Sequence, residues 1–411
     1  MCIETTTEIM NILVFNCGSS SLKYRLIEMP SERELAGGEA QRVGPKTSEP
    51  ARIFHSVNGI VEEHRYEMPD HATAFDCVMG LLARDAKLTP HGLGHRLVHG
   101  GTLFQSPTWV DEVVLNQLDE VIDLAPLHNP PAIRLVKACQ QRYPDLPQIL
   151  VFDTAFHATI PDYARQYALP RALQDKLHIR KYGFHGISHQ YVCTEAAQFL
   201  GLPMEQLTAV SCHLGSGGAS LCAVREGCSI DNTMGFSPLQ GLIMSTRCGD
   251  LDPSITLRLL DHVDGDFQSV ETILNKKSGV LGLSGFSADI RDVINPSEEE
   301  HHKIARQATQ LYLWRLRKYL GAYLAVTGKP HAVIFTDTIG ETVPEVRWMV
   351  SSGMEAFGLR IDRQKNWHLE TYPADIAASD SAIRILVIRT NEELAIARYS
   401  FATLRENLTL V

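Results

Sequence analysis

Short apolar runs alternate along this chain with stretches whose apolar residues recur at helical spacing. NILVF (11–15), QILVF (148–152), LTAVSCHL (207–214), HAVIF (331–335) and IRILVI (383–388) are bounded by Gly, Asp or other polar residues. Runs this short and this apolar predict strands buried on both faces. Ala308, Tyr312, Leu316, Tyr319, Leu320 and Tyr323 predict a helix with one apolar face, and Ser297 with Glu300 has capping-box spacing ahead of it. Asp252 followed by Pro253 predicts a second helix start. Thr390 and Glu393 have capping-box spacing too, which would leave Glu392 to point elsewhere. The alternation predicts an α/β fold.

Two stretches share one plan. ILVFNCGSSSLKYRLI (12–27) and TAVSCHLGSGGASLCAV (208–224) each read as apolar strand, small-residue turn, apolar strand. This suggests two similar lobes, against the competing explanation of two unrelated hairpins with Gly/Ser turns. Neither turn is a Walker A loop, because no Gly-Lys-Ser/Thr follows and the next segment is a strand. A hairpin whose turn amides face a phosphate is the alternative.

A chain of 411 residues, 44% hydrophobic and 21% charged, can form two or three domains with real cores. The formal net charge of −10, without a basic block, argues against nucleic-acid partners. The N-terminal stretch lacks a basic segment and a long apolar segment, and no window approaches a membrane span, so a cytoplasmic protein is expected. Nine cysteines without a Cys-x-x-Cys pair favour reduced thiols over disulfides or a structural metal.

Polar residues at the ends of apolar runs are the candidates for chemistry, since ligands of open α/β sheets bind there. Arg96 in GHRLVHGG needs an internal carboxylate or an anionic ligand. Asp153 ends QILVFD and suits a metal, a nucleophile or a turn cap. His128 precedes Asn-Pro-Pro, and His185 in YGFHGISH sits between glycines and aromatics, where a buried structural histidine is also common. Arg247 lies in a Gly-rich turn before Asp252 and suits phosphoryl oxygens. FTDTIGE (335–341) reads as a strand entering a tight turn. If that turn cradles phosphate, the Asp337 carboxylate at its mouth would repel the ligand.

Together, NCGSSSLKY, GHRLVHGG, APLHNPP, FDTAFH, YGFHGISH, HLGSGG, MGFSPLQGLIMSTRCGDLDP and TNEELAIAR resemble the acetate kinase family, which includes propionate and butyrate kinases, in its order over nearly the whole chain. The resemblance implies a two-lobed actin-like ATPase fold with duplicated βββαβαβα-type domains and an active-site cleft between them. The lobes would be residues 1–155 plus 395–411 and residues 156–394. It implies reversible transfer of the γ-phosphoryl of ATP to a short carboxylate, with Mg2+ or Mn2+, in a homodimer. Arg96, Asp153, His185, Arg247 and His128 match catalytic positions, with Asp153 as a positioner. Val98, Leu127, Phe184 and Pro238 match the pocket for the alkyl end. Asn16, Lys23, His213, Gly215, Ser216, Gly217, Asp289, Arg291, Asp337, Thr338 and Gly340 match the nucleotide side, and Asn16 with Glu392 the metal.

The departures cluster on the nucleotide side. HLGSGG has Ser216 where relatives carry Asn, with one extra residue in the turn. FTDTIGE has Asp337 and Thr338 where relatives carry paired glycines, and Arg389 replaces a proline. An ATP-dependent acetate or propionate kinase is the leading expectation. An acyl kinase using pyrophosphate or phosphate, and a non-catalytic ligand-binding relative, are the alternatives.

Overall fold

The computed structural model describes residues 9–44, 47–126 and 129–408. The chain divides into two compact units, one running to Ala155 and resuming at Asn391, the other spanning Phe156–Thr390. The return to the first unit thus comes at Asn391 instead of 395, which puts Glu392 in the first unit.

The first unit is built on an eight-stranded sheet of order β5-β4-β3-β2-β1-β6-β8-β7. Its strands are β1 (Met10–Cys17), β2 (Ser21–Met29), β3 (Arg33–Gln41), β4 (Arg52–Val57), β5 (Ile60–Arg65), β6 (Gly92–Leu97), β7 (Thr108–Trp109) and β8 (Gln148–Phe152). Strands β1 to β5 are joined antiparallel, whereas β6 runs parallel to β1 and β8 parallel to β6. Successive side chains of β1 point to opposite faces. Leu13 and Phe15 join Phe75 and Val78 of the helix His71–Leu82, and Leu135 and Cys139 of the helix Asn129–Arg142. The helix Glu392–Leu408 packs on β1, β6 and β8.

The second unit repeats the central plan. Its sheet, order β11-β10-β9-β12-β14-β13, comprises β9 (Ala209–Leu214), β10 (Ala219–Arg225), β11 (Cys228–Asn232), β12 (Ala332–Thr336), β13 (Ala374–Asp375) and β14 (Arg384–Val387). The series β11-β10-β9-β12-β14 matches β3-β2-β1-β6-β8 in order and strand direction. Both Gly/Ser hairpins expected from the sequence therefore occupy the same place in their sheets. Val192, Cys193 and Ala196 of the helix Gly186–Leu200 pack with Ala209, Cys222 and Ile334 of the sheet.

The long helix spans His302–Thr327 and buries Ala308, Tyr312, Leu316, Leu320 and Tyr323 of the predicted face, whereas Tyr319 is half-buried and donates its hydroxyl to Asp250. It starts later than a Ser297 cap requires, because a 3-10 turn, Glu299–His301, intervenes. Asp252 does cap its helix, accepting from the Ser254 N–H at 2.8 Å. The expected Thr390 cap is displaced by one residue. Asn391 Oδ1 accepts from the Leu394 N–H at 3.0 Å, while Thr390 is held through its hydroxyl by Ser188 and through its N–H by Glu341.

Each core also holds buried histidines. His95 pairs with Gln148 at 2.9 Å, and His157 with Ser229 Oγ at 2.8 Å and the Phe184 carbonyl at 3.0 Å. Burial lowers both side chains to about 4. The unfolded chain binds protons at these groups from about pH 6.5 downward, whereas the folded protein does not until about pH 4. Their contribution is therefore complete above about 6.5 and is lost as pH falls, by roughly 3 kcal/mol per histidine. We expect urea midpoints to drop clearly from pH 7 to pH 5; equal midpoints would contradict this.

Candidate active site

In the first unit, candidate side chains gather at the carboxyl ends of three adjacent parallel strands. Asn16 is near the end of β1, Arg96 near the end of β6, and Asp153 directly follows β8. Arg96 donates from Nε and Nη2 to the two carboxylate oxygens of Asp153 at 3.1 and 2.7 Å, and from Nη1 to Asn16 Oδ1 at 3.1 Å. Glu392, in the first turn of its helix, lies 3.7 Å from Arg96 Nη1. The fork geometry suits guanidinium and not ammonium. Burial opposes the Arg96 charge, but Asp153 and Glu392 outweigh it and hold the guanidinium protonated. Asp153 is 2% exposed and forms a buried ion pair with this arginine. Lys23 faces Asn16 across β1 and β2 and is exposed.

In the second unit, Arg247, His185 and Asp337 approach the β9–β10 turn. The turn closes through a bond from the Gly215 N–H to the Gly218 carbonyl at 2.9 Å. A Cβ at Gly218 would lie 2.7 Å from Arg247 Nη2 and 3.4 Å from His185 Nε2, and one at Gly215 would collide with the Asp337 carboxylate. Glycine at both positions is what lets these groups approach the backbone. Arg247 donates to the Pro238 and Gly217 carbonyls at 2.8 and 3.1 Å. It makes no ion pair among the described residues, and burial lowers its pKa from the ordinary value. Guanidinium fixed by neutral carbonyls retains donors for an anion.

His185 occupies the residue before the helix Gly186–Leu200 with φ of 58°, a strained left-handed conformation for a non-glycine residue. Its ring stacks on that of His213 at 4.2 Å, and its Nδ1 lies 2.9 Å from Ser220 Oγ. FTDTIGE is not a tight turn: β12 runs directly into a short helix, Asp337–Thr342. The Glu341 carboxylate accepts from the Asp337 and Thr390 N–H groups at 2.8 and 3.0 Å, closing that junction. The Asp337 carboxylate points inward at His213, so it does not confront a ligand as a bare charge.

The remaining sequence candidates are dispersed. Phe184 is 2% exposed, Val98 and Pro238 are half-buried, and Leu127 and His128 lie outside the described residues. Asp289 caps a short helix through the Arg291 N–H at 2.9 Å and pairs with the Arg291 guanidinium. A narrow crevice lined by Gly215, Ser216, Met244, Ala288, Ile290 and Ile339 connects this region to the turn. Thr338 donates to Asp337, and Gly340 is buried with its carbonyl bonded to the buried Arg347. Ser188, Ser220, Glu341 and Arg347 position this site without having been singled out from sequence. The Ser-His pair in GISH and the Glu in FTDTIGE were the available signals.

Hard oxygen donors suited to Mg2+ are present at Asn16, Asp153 and Glu392. Among the described residues no group of three or more His, Cys, Asp or Glu side chains could hold a metal by itself. Mg2+ held by one or two protein oxygens together with substrate phosphates requires no such group.

Comparison with known proteins gives a consistent result. Residues 11–398 match the profile described as the acetokinase family. The chain is 46% identical over 397 residues to an acetate kinase of Alkaliphilus metalliredigens, covering 95% of this chain and 98% of that one. Among solved structures it resembles the Porphyromonas gingivalis acetate kinase, with TM-score 0.89, 35% identity and coverage of 96% of this chain and 100% of that one. It also resembles a propionate kinase from Francisella tularensis, with TM-score 0.87, 37% identity and coverage of 95% and 99%. The fold is the two-lobed α/β fold of the actin-like ATPases.

Proposed function

This chain belongs to the acetokinase family, and we propose that it is a kinase moving the γ-phosphoryl of ATP reversibly to acetate or propionate, giving an acyl phosphate and ADP. The observation that carries this reading is the convergence of Arg247 and His185 over the glycine turn 215–218. Phosphoryl transfer spreads negative charge over three equatorial oxygens, and proteins accelerate it by positioning the reactants and neutralising that charge. A guanidinium and an imidazole over a turn with backbone donors are suited to that task.

In this reading one carboxylate oxygen of the acceptor bonds to the γ-phosphorus as the bond to the β–γ bridging oxygen breaks, and ADP leaves with that oxygen. Arg96 orients the acceptor carboxylate, and Asp153 holds Arg96 in its fork. The acceptor is already ionised near neutral pH, so no general base is required and Asp153 acts as a positioner. Arg247 and His185 stabilise the equatorial oxygens, with His128 in support. Val98, Leu127, Phe184 and Pro238 limit the alkyl end. Gly215, Ser216 and Gly217 receive the phosphates, with Lys23 contributing charge, while Asp289, Arg291, Thr338 and Gly340 border the nucleoside. Mg2+ or Mn2+, held by Asn16 and Glu392 together with the substrate phosphates, would neutralise phosphate charge.

The reading takes the protein to be a cytoplasmic homodimer. No helix among the described residues is long and apolar enough to cross a membrane.

The test is a hydroxylamine trap for acyl phosphate with purified protein, magnesium and acetate or propionate, comparing ATP, GTP and pyrophosphate. Product with ATP supports the reading. Product with pyrophosphate alone overturns the donor, and no product with any donor overturns the kinase assignment.

A further inference from the structure

Asp337 and His213 are nucleotide-side candidates that the reading above leaves unused, and they pair with each other. Oδ2 lies 3.0 Å from His213 Nε2, and Oδ1 accepts from the Thr338 N–H at 2.6 Å and hydroxyl at 3.0 Å. The backbone at Asp337 is left-handed, with φ of 63°, a conformation rare outside glycine that aspartate tolerates better than most residues. On the other side of the imidazole, His213 Nδ1 lies 2.8 Å from Ser188 Oγ, which is itself 2.8 Å from Thr390 Oγ1. With a proton on Nδ1 as well as Nε2, His213 donates to Ser188, and Ser188 donates onward to Thr390. These contacts accommodate a doubly protonated ring.

The neighbouring network fixes the second histidine differently. His189 lies 2.8 Å from Ser211 Oγ through Nδ1 and 2.8 Å from Ser220 Oγ through Nε2, and Ser220 Oγ is also 2.9 Å from His185 Nδ1. Burial first, and then the proximity of the His157 and His213 imidazoles, holds His189 well below its ordinary value, hence neutral. If Ser211 donates to His189, His189 to Ser220 and Ser220 to His185, then His185 carries its proton on Nε2, the nitrogen that approaches Gly218. A charged His213 stacked on His185 disfavours a second charge there.

We propose that Asp337 is a positioning residue that keeps His213 as an imidazolium, which places a fixed positive charge against the ring of His185 and holds His185 as a neutral Nε2–H donor toward the phosphoryl-binding turn. This deepens the phosphotransferase reading and its kinetic part rests on it; the charge state of His213 does not. Ionisable groups around His213 among the described residues include Asp337, His185 and His189, with Glu341 bonded to the Asp337 backbone and Arg247 beside His185 over Gly218. Asp337 is held below the ordinary carboxylate range: burial acts against this, but the hydrogen bond and charge of His213 and the Thr338 donors outweigh it. The carboxylate therefore remains ionised throughout the range in which the enzyme can be assayed.

A carboxylate partner raises the pH at which His213 loses its proton, so removing that partner makes His213 neutral at lower pH. The test compares the native protein with Asp337→Asn and Asp337→Glu, using NMR titration of His213, assigned by its absence in His213→Gln, and the pH dependence of kcat and of KM for ATP. In Asp337→Asn the titration midpoint is expected to fall by at least about one pH unit. The kcat deficit relative to native protein should grow between about pH 6 and pH 8.5 to about tenfold, with KM for ATP nearly unchanged and Asp337→Glu restoring part of the loss.

An unchanged midpoint, a pH-independent deficit, or an effect confined to KM would overturn the proposal, the last marking Asp337 as a filter on the nucleotide. If Asp337→Asn does not fold, the native titration decides: a neutral His213 at pH 7 overturns the charge pairing. Native protein that makes no acyl phosphate removes the phosphotransferase reading, whereas the His213 titration still tests the pairing by itself.

Discussion

Replacing Arg247 with alanine is expected to lower acyl phosphate formation by about a thousandfold, the scale at which an arginine neutralising a transferring phosphoryl group acts. The variant should remain folded. Among the described residues Arg247 bonds only neutral carbonyls, those of Pro238 and Gly217, so its removal leaves no buried charge behind there. The loss should fall on kcat more than on KM for acetate, because the contact strengthens as charge develops on the equatorial oxygens. Arg247→Lys keeps the charge but loses the two-carbonyl anchorage, and should recover little. A folded alanine variant with near-normal kcat would remove Arg247 from the mechanism.

Arg96→Ala is expected to be as damaging to turnover and, unlike Arg247→Ala, costly to stability. Asp153 is almost wholly buried and receives both of its strongest bonds from Arg96. Truncating the arginine leaves that carboxylate without its counter-charge, which should destabilise the first unit by about 3 kcal/mol at neutral pH. The double change Arg96→Ala with Asp153→Ala should restore part of the stability and none of the activity. Urea unfolding of the two variants, together with turnover of the folded fraction, separates these effects. Equal stability of Arg96→Ala and native protein would show that the buried pair is not what holds Asp153 in place.

Much of this molecule is legible from its sequence because strand burial and helix periodicity are local properties. NILVF and the AVIF of HAVIF lie within strands for the reason they look like strands: their apolar side chains are covered on both faces. The repeated Gly/Ser hairpins were also legible, and their equivalence in the two sheets follows from the pairing of β1 with β6 and of β9 with β12. Arg96 and Asp153 could each be suspected of needing a partner. That they are each other's partner depends on adjacent parallel strands, which no local pattern encodes.

The misreadings have the same origin. Thr390 and Asn391 are neighbours in the chain, yet Thr390 is bonded to Ser188 and Glu341 whereas Asn391 caps the helix that carries Glu392 to Arg96. Capping-box spacing cannot distinguish such long-range claims on one hydroxyl. FTDTIGE looked like a turn because Asp and Gly favour turns, but Glu341 accepts the Asp337 N–H and a helix starts there. The concern that Asp337 would repel phosphate assumed an outward carboxylate, and His213, distant in sequence, turns it inward.

The most direct measurement is the product balance of the purified protein with magnesium, ATP and acetate, followed by phosphorus NMR. The account predicts an acyl phosphate resonance that grows in step with ADP, mole for mole, without free phosphate as the primary product, and that is absent from folded Arg247→Ala on the same timescale. ADP and free phosphate without acyl phosphate, or no turnover of ATP by the native protein, would contradict it.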